Sequence, residues 1–96
     1  MPKGYWIARV EVRNAEGYKE YVAAAKLAFD NFDLKFLARG GPYEFAEGAG
    51  RARNVIIEFP SMEEALACYN SPEYTAARAI RQALSAGEFV LVEGVE

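Results

Sequence analysis

Apolar and polar residues alternate along Tyr5-Trp6-Ile7-Ala8-Arg9-Val10-Glu11-Val12, and a period of two marks a strand with two unlike faces. Trp6, Ala8, Val10 and Val12 fall on one face; Tyr5, Ile7, Arg9 and Glu11 fall on the other. The period changes after Asn14. Tyr18, Val22, Ala25, Phe29 and Phe32 recur at spacings of three and four, which predicts an amphipathic helix capped by Asn14 and ending near Asn31. Lys35 to Arg39 reads as a second strand, interrupted by Gly40-Gly41-Pro42, and Tyr43 to Glu47 resumes extended character before Gly48-Ala49-Gly50. This stretch fits one long bent strand or two short ones.

Arg53 to Phe59 is the clearest central strand, and Pro60 stops it because proline cannot donate to a ladder. Ser61 with Glu64 forms a capping-box signature. Ser71-Pro72 starts a further helical piece, with serine as the cap and proline at the first helical position. That piece carries Tyr74, Ala77, Ile80, Arg81 and Leu84, with Gly87 as its expected stop, and Glu88 to Glu93 completes the chain as a strand.

The order strand, helix, strand, strand, helix pair, strand predicts an α+β fold. It is the ferredoxin-like split βαββαβ sandwich, an antiparallel sheet with its helices on one face. The chain is expected to form a single domain over residues 1–96, without repeats or linkers. The face turned away from the helices is mixed: Tyr5 and Ile7 accompany Arg9, and Ile56 accompanies Asn54 and Glu58. Either Val90 and Val92 or Phe89 and Leu91 must join them. A solvated sheet face is more uniformly polar, so a second copy is expected to cover this one, giving a homodimer through the sheet face.

Composition narrows the chemistry. The 96 residues contain no histidine and one cysteine, Cys68. This excludes a histidine-centred triad, a histidine zinc site and histidine acid–base catalysis from the chain itself. A lone cysteine forms no intrachain disulfide, and the first residues lack the apolar run of a secretory leader, so a reducing cytoplasm is the expected compartment. With 11 basic against 14 acidic residues and a net charge of −3, neither nucleic acid nor an anionic membrane is an expected partner. No compact acidic cluster suits a hard metal, and no cofactor is expected.

Several tracts resemble the DUF1330 family, small bacterial proteins of uncharacterised function within the dimeric alpha–beta barrel superfamily. They are Gly4-Tyr5-Trp6-Ile7-Ala8, the helix with Tyr18 and Tyr21, Phe36-Leu37-Ala38-Arg39-Gly40-Gly41 and Ile57-Glu58-Phe59-Pro60-Ser61. Ala67-Cys68-Tyr69-Asn70-Ser71-Pro72-Glu73-Tyr74, Arg81 and Val92-Glu93-Gly94 follow in order. The resemblance implies a ferredoxin-like protomer whose sheet packs on a second copy to enclose a barrel. The wider superfamily includes cofactor-free monooxygenases, muconolactone isomerases and haem-dependent chlorite dismutases, and fold alone transfers none of these activities. The family's Asp-Pro at the first helix is Asn14-Ala15 here, a change that touches helix entry only.

Three groups of residues are candidates for chemistry. Arg39-Gly40-Gly41 joins a guanidinium fork to two glycines that allow close approach of an acidic ligand; the alternative is a sheet bend with Arg39 paired to a glutamate. Arg9, Asn54 and Glu58 share the face turned to the partner. Arg9 and Glu58 either pair as structure or line a ligand cavity, with Glu58 the candidate general base. Asn70 and Tyr74, joined by Arg81, either cap and pack locally or rim that cavity. Two functions follow. One is a homodimer binding a small acidic or aromatic compound, acting as a cofactor-free isomerase or monooxygenase-like enzyme. The other is a non-enzymatic dimer in which Arg9, Arg39 and Glu58 fix the interface.

Overall fold

The computed structural model describes residues 2–96. Strand β1 (Gly4–Val12) leads to helix α1 (Ala15–Phe29), strands β2 (Lys35–Arg39) and β3 (Arg53–Phe59), helices α2 (Met62–Tyr69) and α3 (Pro72–Leu84), and strand β4 (Ser85–Glu93). The antiparallel sheet has the order β2-β3-β1-β4, as expected of a ferredoxin-like α+β sandwich.

All three helix starts use the caps visible in the sequence. Asn14 Oδ1 accepts from the Gly17 amide at 3.0 Å, and Ser61 and Ser71 Oγ accept from Glu64 and Tyr74 amides at 3.2 Å. Each satisfies an amide that the first helical turn leaves without an intrahelical partner.

One expectation is corrected. The sheet is not closed into a barrel: β2 and β4 are open edges, separated by β3 and β1, and each pairs with one neighbour only. Closure would require β2 to bond β4, whereas the two central strands hold them apart and the helices close over one face of a flat layer. The protomer is an open-faced sandwich.

The core lies between that layer and the helices. Strand parity sends Trp6, Ala8, Val10, Ile57 and Phe59 inward, all buried. Trp6 Nε1 donates to the Ala65 carbonyl at 2.9 Å, and its ring packs against Phe29, Phe59, Tyr69, Tyr74 and Phe89. Aromatic pairs in such edge and tilted arrangements contribute beyond their area burial. The buried stripe of α1 is Tyr21, Ala25 and Ala28, with Tyr18 and Phe29 at its margin. It is rotated from the expected one because α1 packs on α3 as well as on the sheet, and Val22 is left 37% exposed.

Two further boundaries differ. Residues 40–52 form neither helix nor strand, so the extended piece expected at 43–47 is a loop. Gly87 does not stop α3; the chain passes from Leu84 directly into β4, where Gly87 lies opposite Val10. A side chain there would collide with the Arg9 carbonyl and Val10 backbone, so this glycine permits close strand approach.

Among the described residues, no helix is long and apolar enough to cross a membrane.

Candidate functional site

Arg53 opens β3, and its parity is set by Phe59, Ile57 and Val55, which alternate inward along the strand. Pairing of Arg53 with Val10 continues the series, so the guanidinium enters the helix side of the sheet. Tyr21 projects there from α1, and α3 presents Tyr74, Ala77 and Arg81 along one buried stripe. These elements surround an inner void of about 40 Å³, with Trp6, Tyr21, Phe36, Arg39, Arg53 and Phe89 among its lining residues. That is room for about three waters. A larger open groove of about 410 Å³ lies between α1 and β2, with Phe29, Phe32, Leu34 and Phe36 in its wall and Lys26, Asp30 and Arg39 around it. Val22, Phe29, Phe36 and Arg39 line both spaces, so the void and the groove are neighbours sharing one wall.

The electrostatics are one-sided. No aspartate or glutamate lines the inner void, and Asp30 of the groove is engaged with Lys26 at 2.9 Å. Arg53 stacks over the Tyr18 ring and Arg39 over Phe36, with guanidinium-to-centroid distances of 5.6 and 4.1 Å. Arg81 is only 5% exposed, with its guanidinium 4.0 Å from the Phe89 centroid and 6.0 Å from that of Tyr21. The Nε atoms of Arg53 and Arg81 are shielded from solvent and have no hydrogen-bond partner. Among the described residues, neither arginine has a carboxylate partner. Arg81 is buried and Arg53 half-buried, and a buried cation without a counter-charge is expensive.

Beside them the Tyr21 and Tyr74 hydroxyls share a buried 2.7 Å hydrogen bond. Burial first, and the tyrosine neighbour second, hold the Tyr21 phenol above its ordinary range. Burial raises Tyr74 too, against the opposing pull of Tyr21 and Arg81. Both stay protonated at neutral pH, and either can donate to the other in the shared bond. Cys68 is buried in the core, and burial pushes its thiol up to about 12; it supplies no nucleophile.

The sequence-derived candidates separate into two faces. Arg39, Tyr74 and Arg81 gather on the helix side, and Gly40, at φ 69°, lies against the Arg53 guanidinium, where a side chain would collide. Gly41 faces open space. Arg9, Asn54 and Glu58 lie on the bare face. Arg9 pairs in register with Asn54, and Tyr5 with Glu58, which separates Arg9 from Glu58 by four residues, about 13 Å along the sheet. The structure therefore does not form an Arg9–Glu58 pair. Glu58 accepts from the Tyr5 hydroxyl at 3.2 Å and lies 3.8 Å from Lys3; Asn54 Nδ2 donates to the Arg51 carbonyl. Asn70 is the exposed C-cap of α2, with its amide on the Leu66 carbonyl.

Sequence reasoning missed Arg53, Tyr21 and Trp6 as site residues. For Arg53 the signal was available: the inward parity of Val55, Ile57 and Phe59 extends to it. Tyr21 required knowledge of how α1 is rotated against α3. Among the described residues, no group of three or more acidic or cysteine side chains is placed to hold a metal.

Solved structures share this fold at low identity. A protein of unknown function from Rhodopseudomonas palustris superposes with a TM-score of 0.78 at 18% identity, covering 99% of this chain and 84% of that one. SnoaB, a cofactor-independent oxygenase from Streptomyces nogalater, gives 0.65 at 12% identity, covering 100% and 96%. A dimeric ferredoxin-like protein of unknown function from Thermobifida fusca gives 0.61 at 16%, covering 99% and 92%. At these identities the likeness establishes the fold alone. No curated protein matches the chain. The profile of DUF1330, a domain of unknown function, matches residues 3–95, and the chain belongs to that family.

Proposed function

We propose that this protein is a homodimer that binds a small aromatic compound in the groove between α1 and β2, with one small substituent in the inner void. The observation that carries the reading is the adjacency of the two spaces, which share Val22, Phe29, Phe36 and Arg39. A groove of about 410 Å³ walled by Phe29, Phe32, Leu34 and Phe36 adjoins a chamber of about 40 Å³ against Trp6 and Tyr21. The groove has the size and apolar lining of a small-molecule site. The chamber is too small for a ring and large enough for a substituent of about three atoms.

Dimerisation is supported by the bare sheet face. Ala38, Ile56, Ile7 and Val90 stand in register as an apolar row across all four strands, and Ile7 and Val90 are 37% and 52% exposed. Such a row, bordered by Arg9 and Asn54 on one side and Glu58 on the other, suits two sheets stacked face to face. In this reading Arg9, Asn54 and Glu58 set the register of the two copies.

Monooxygenase-like chemistry is the second part of the proposal, supported by the fold shared with SnoaB and by the apolar lining of the chamber. With no carboxylate in that chamber, the protein's own contribution would be to hold the substrate and stabilise negative charge on it. Glu58 lies on the opposite face of the sheet, where the dimer role is the better fit.

Trp6 is the only tryptophan and lines the chamber, so its fluorescence reports occupancy. Benzamide, a neutral ring with a small substituent, is expected to change the emission saturably at millimolar concentration, the range expected for so small a ligand. Val22→Phe crowds the wall shared by both spaces and is expected to abolish that change without altering the thermal melt. Absence of a saturable change in the unmodified protein would overturn the pocket reading.

A further inference from the structure

A protein with a net charge of −3 lines one small void with two arginines, the exposed Arg39 and the half-buried Arg53, and no carboxylate. A third, Arg81, lies buried behind the Tyr21 and Phe89 rings that form part of the wall. Elsewhere Lys19 pairs with Glu16, Lys26 with Asp30, and Arg51 with both Glu11 and Glu88. The Arg53 Nε is withheld from water without a partner. Arg53 is half-buried, so part of its desolvation has already occurred on folding and it gains more from an arriving anion than a fully solvated surface arginine does.

The neighbouring hydroxyl fits the same ligand. Tyr21 lines the void, and its oxygen shares a hydrogen bond with Tyr74. When Tyr74 donates to Tyr21, the Tyr21 proton is free to point at a bound acceptor. The Arg81 cation beside Tyr74 favours electron density on the Tyr74 oxygen and strengthens it as a holder of that arrangement. A carboxylate has three heavy atoms, which matches a chamber with room for about three waters. The ring that carries it would extend past Val22 into the groove, between Phe29 and Phe36.

We infer that Arg53 and the Tyr21 hydroxyl form an oxyanion subsite in the inner chamber, with Arg39 at its mouth, and that the ligand is an aromatic carboxylate. Arg53 and Tyr21 touch the ligand; Tyr74 and Arg81 are positioning residues that orient the Tyr21 proton. The inference rests on the pocket reading above and adds to it the charge and chemical class of the ligand.

Isothermal titration with three probes separates the two claims: benzamide carries the ring alone, acetate the anion alone, and benzoate both. Benzoate is expected to bind about tenfold or more tighter than benzamide, the advantage a charge-assisted hydrogen bond provides. Arg53→Gln should reduce that ratio to near one by weakening benzoate far more than benzamide, and Arg53→Lys should restore part of it. Tyr21→Phe should lower the ratio by a few-fold, and Arg81→Gln should lower it in the Tyr21 background but not in the Tyr21→Phe background. Equal affinity for benzoate and benzamide would overturn the oxyanion subsite and leave the pocket standing. Acetate binding that Arg53→Gln removes, without benzamide binding, would support the subsite and overturn the ring groove. Failure of all three probes to bind would overturn both.

Discussion

The hydroxyls of Tyr21 and Tyr74 lie 2.7 Å apart inside the core, fifty-three residues apart in sequence. This contact joins α1 to α3 at the wall of the inner void. Removing either hydroxyl leaves the other buried and short of its partner, which costs about 1–3 kcal/mol. Replacing both leaves two phenylalanines of nearly the same shape. Urea denaturation of Tyr21→Phe, Tyr74→Phe and the double variant should therefore show the double variant less destabilised than the sum of the singles. Additive losses would mean that the hydrogen bond is not formed in solution.

Cys68 is fully buried, and burial pushes its thiol up to about 12. In the unfolded chain the thiol ionises near about 8.5. The raised folded value means that the unfolded state loses its proton first, so this group lowers stability as pH rises above about 8.5 and has no effect at neutral pH. The native protein is expected to resist a disulfide exchange reagent at pH 8 and to react promptly in denaturant. Prompt reaction of the native protein would place Cys68 outside the core.

Glu88 of β4 hydrogen-bonds Arg51 at 2.9 Å, and that bond holds its carboxyl below the usual carboxylate range against a smaller opposing effect of burial. A lowered folded value contributes stability above the unfolded pKa, near about 4.3, and that contribution is lost as pH falls through the folded value. Arg51→Gln should raise the Glu88 pKa in carboxyl NMR titration and flatten the acid limb of the stability profile. An unchanged Glu88 titration would show that the loop carrying Arg51 does not rest on the sheet.

Val90 stands at the end of the apolar row on the bare face and is 52% exposed in the protomer. Light scattering should give about twice 10.6 kDa for the unmodified chain, and Val90→Lys should shift it to the protomer mass with unchanged circular dichroism. A folded, unmodified protein already at protomer mass would contradict dimerisation.

Most of the fold was legible because its signals are local. Asn14, Ser61 and Ser71-Pro72 mark helix starts through hydrogen bonds to amides three residues on, and the parity of Trp6, Ala8 and Val10 fixes the inward face of β1. The site was half legible for the opposite reason. Arg39, Tyr74 and Arg81 were singled out as polar residues near breaks, but which face each occupies depends on packing between distant elements. Glu58 and Arg9 shared a face as expected, yet the β1–β3 register put them four residues apart. Closure into a barrel was an expectation of resemblance, and strand order, a property of the whole sheet, decides it. The conformation of residues 40–52 has no periodic signal because a loop has no repeating face.

The location of a bound ligand tests the central claim most directly. Amide and indole shifts in nitrogen-15 NMR spectra, recorded as benzoate is added, distinguish the helix side of the sheet from the bare one. The account predicts saturable shifts clustered at Trp6, Tyr21, Val22, Phe36 and Arg53, with the Asn54 side-chain amide and the Glu58 backbone amide unmoved. Shifts centred on Arg9 and Glu58, or no saturable shifts at all, would contradict it.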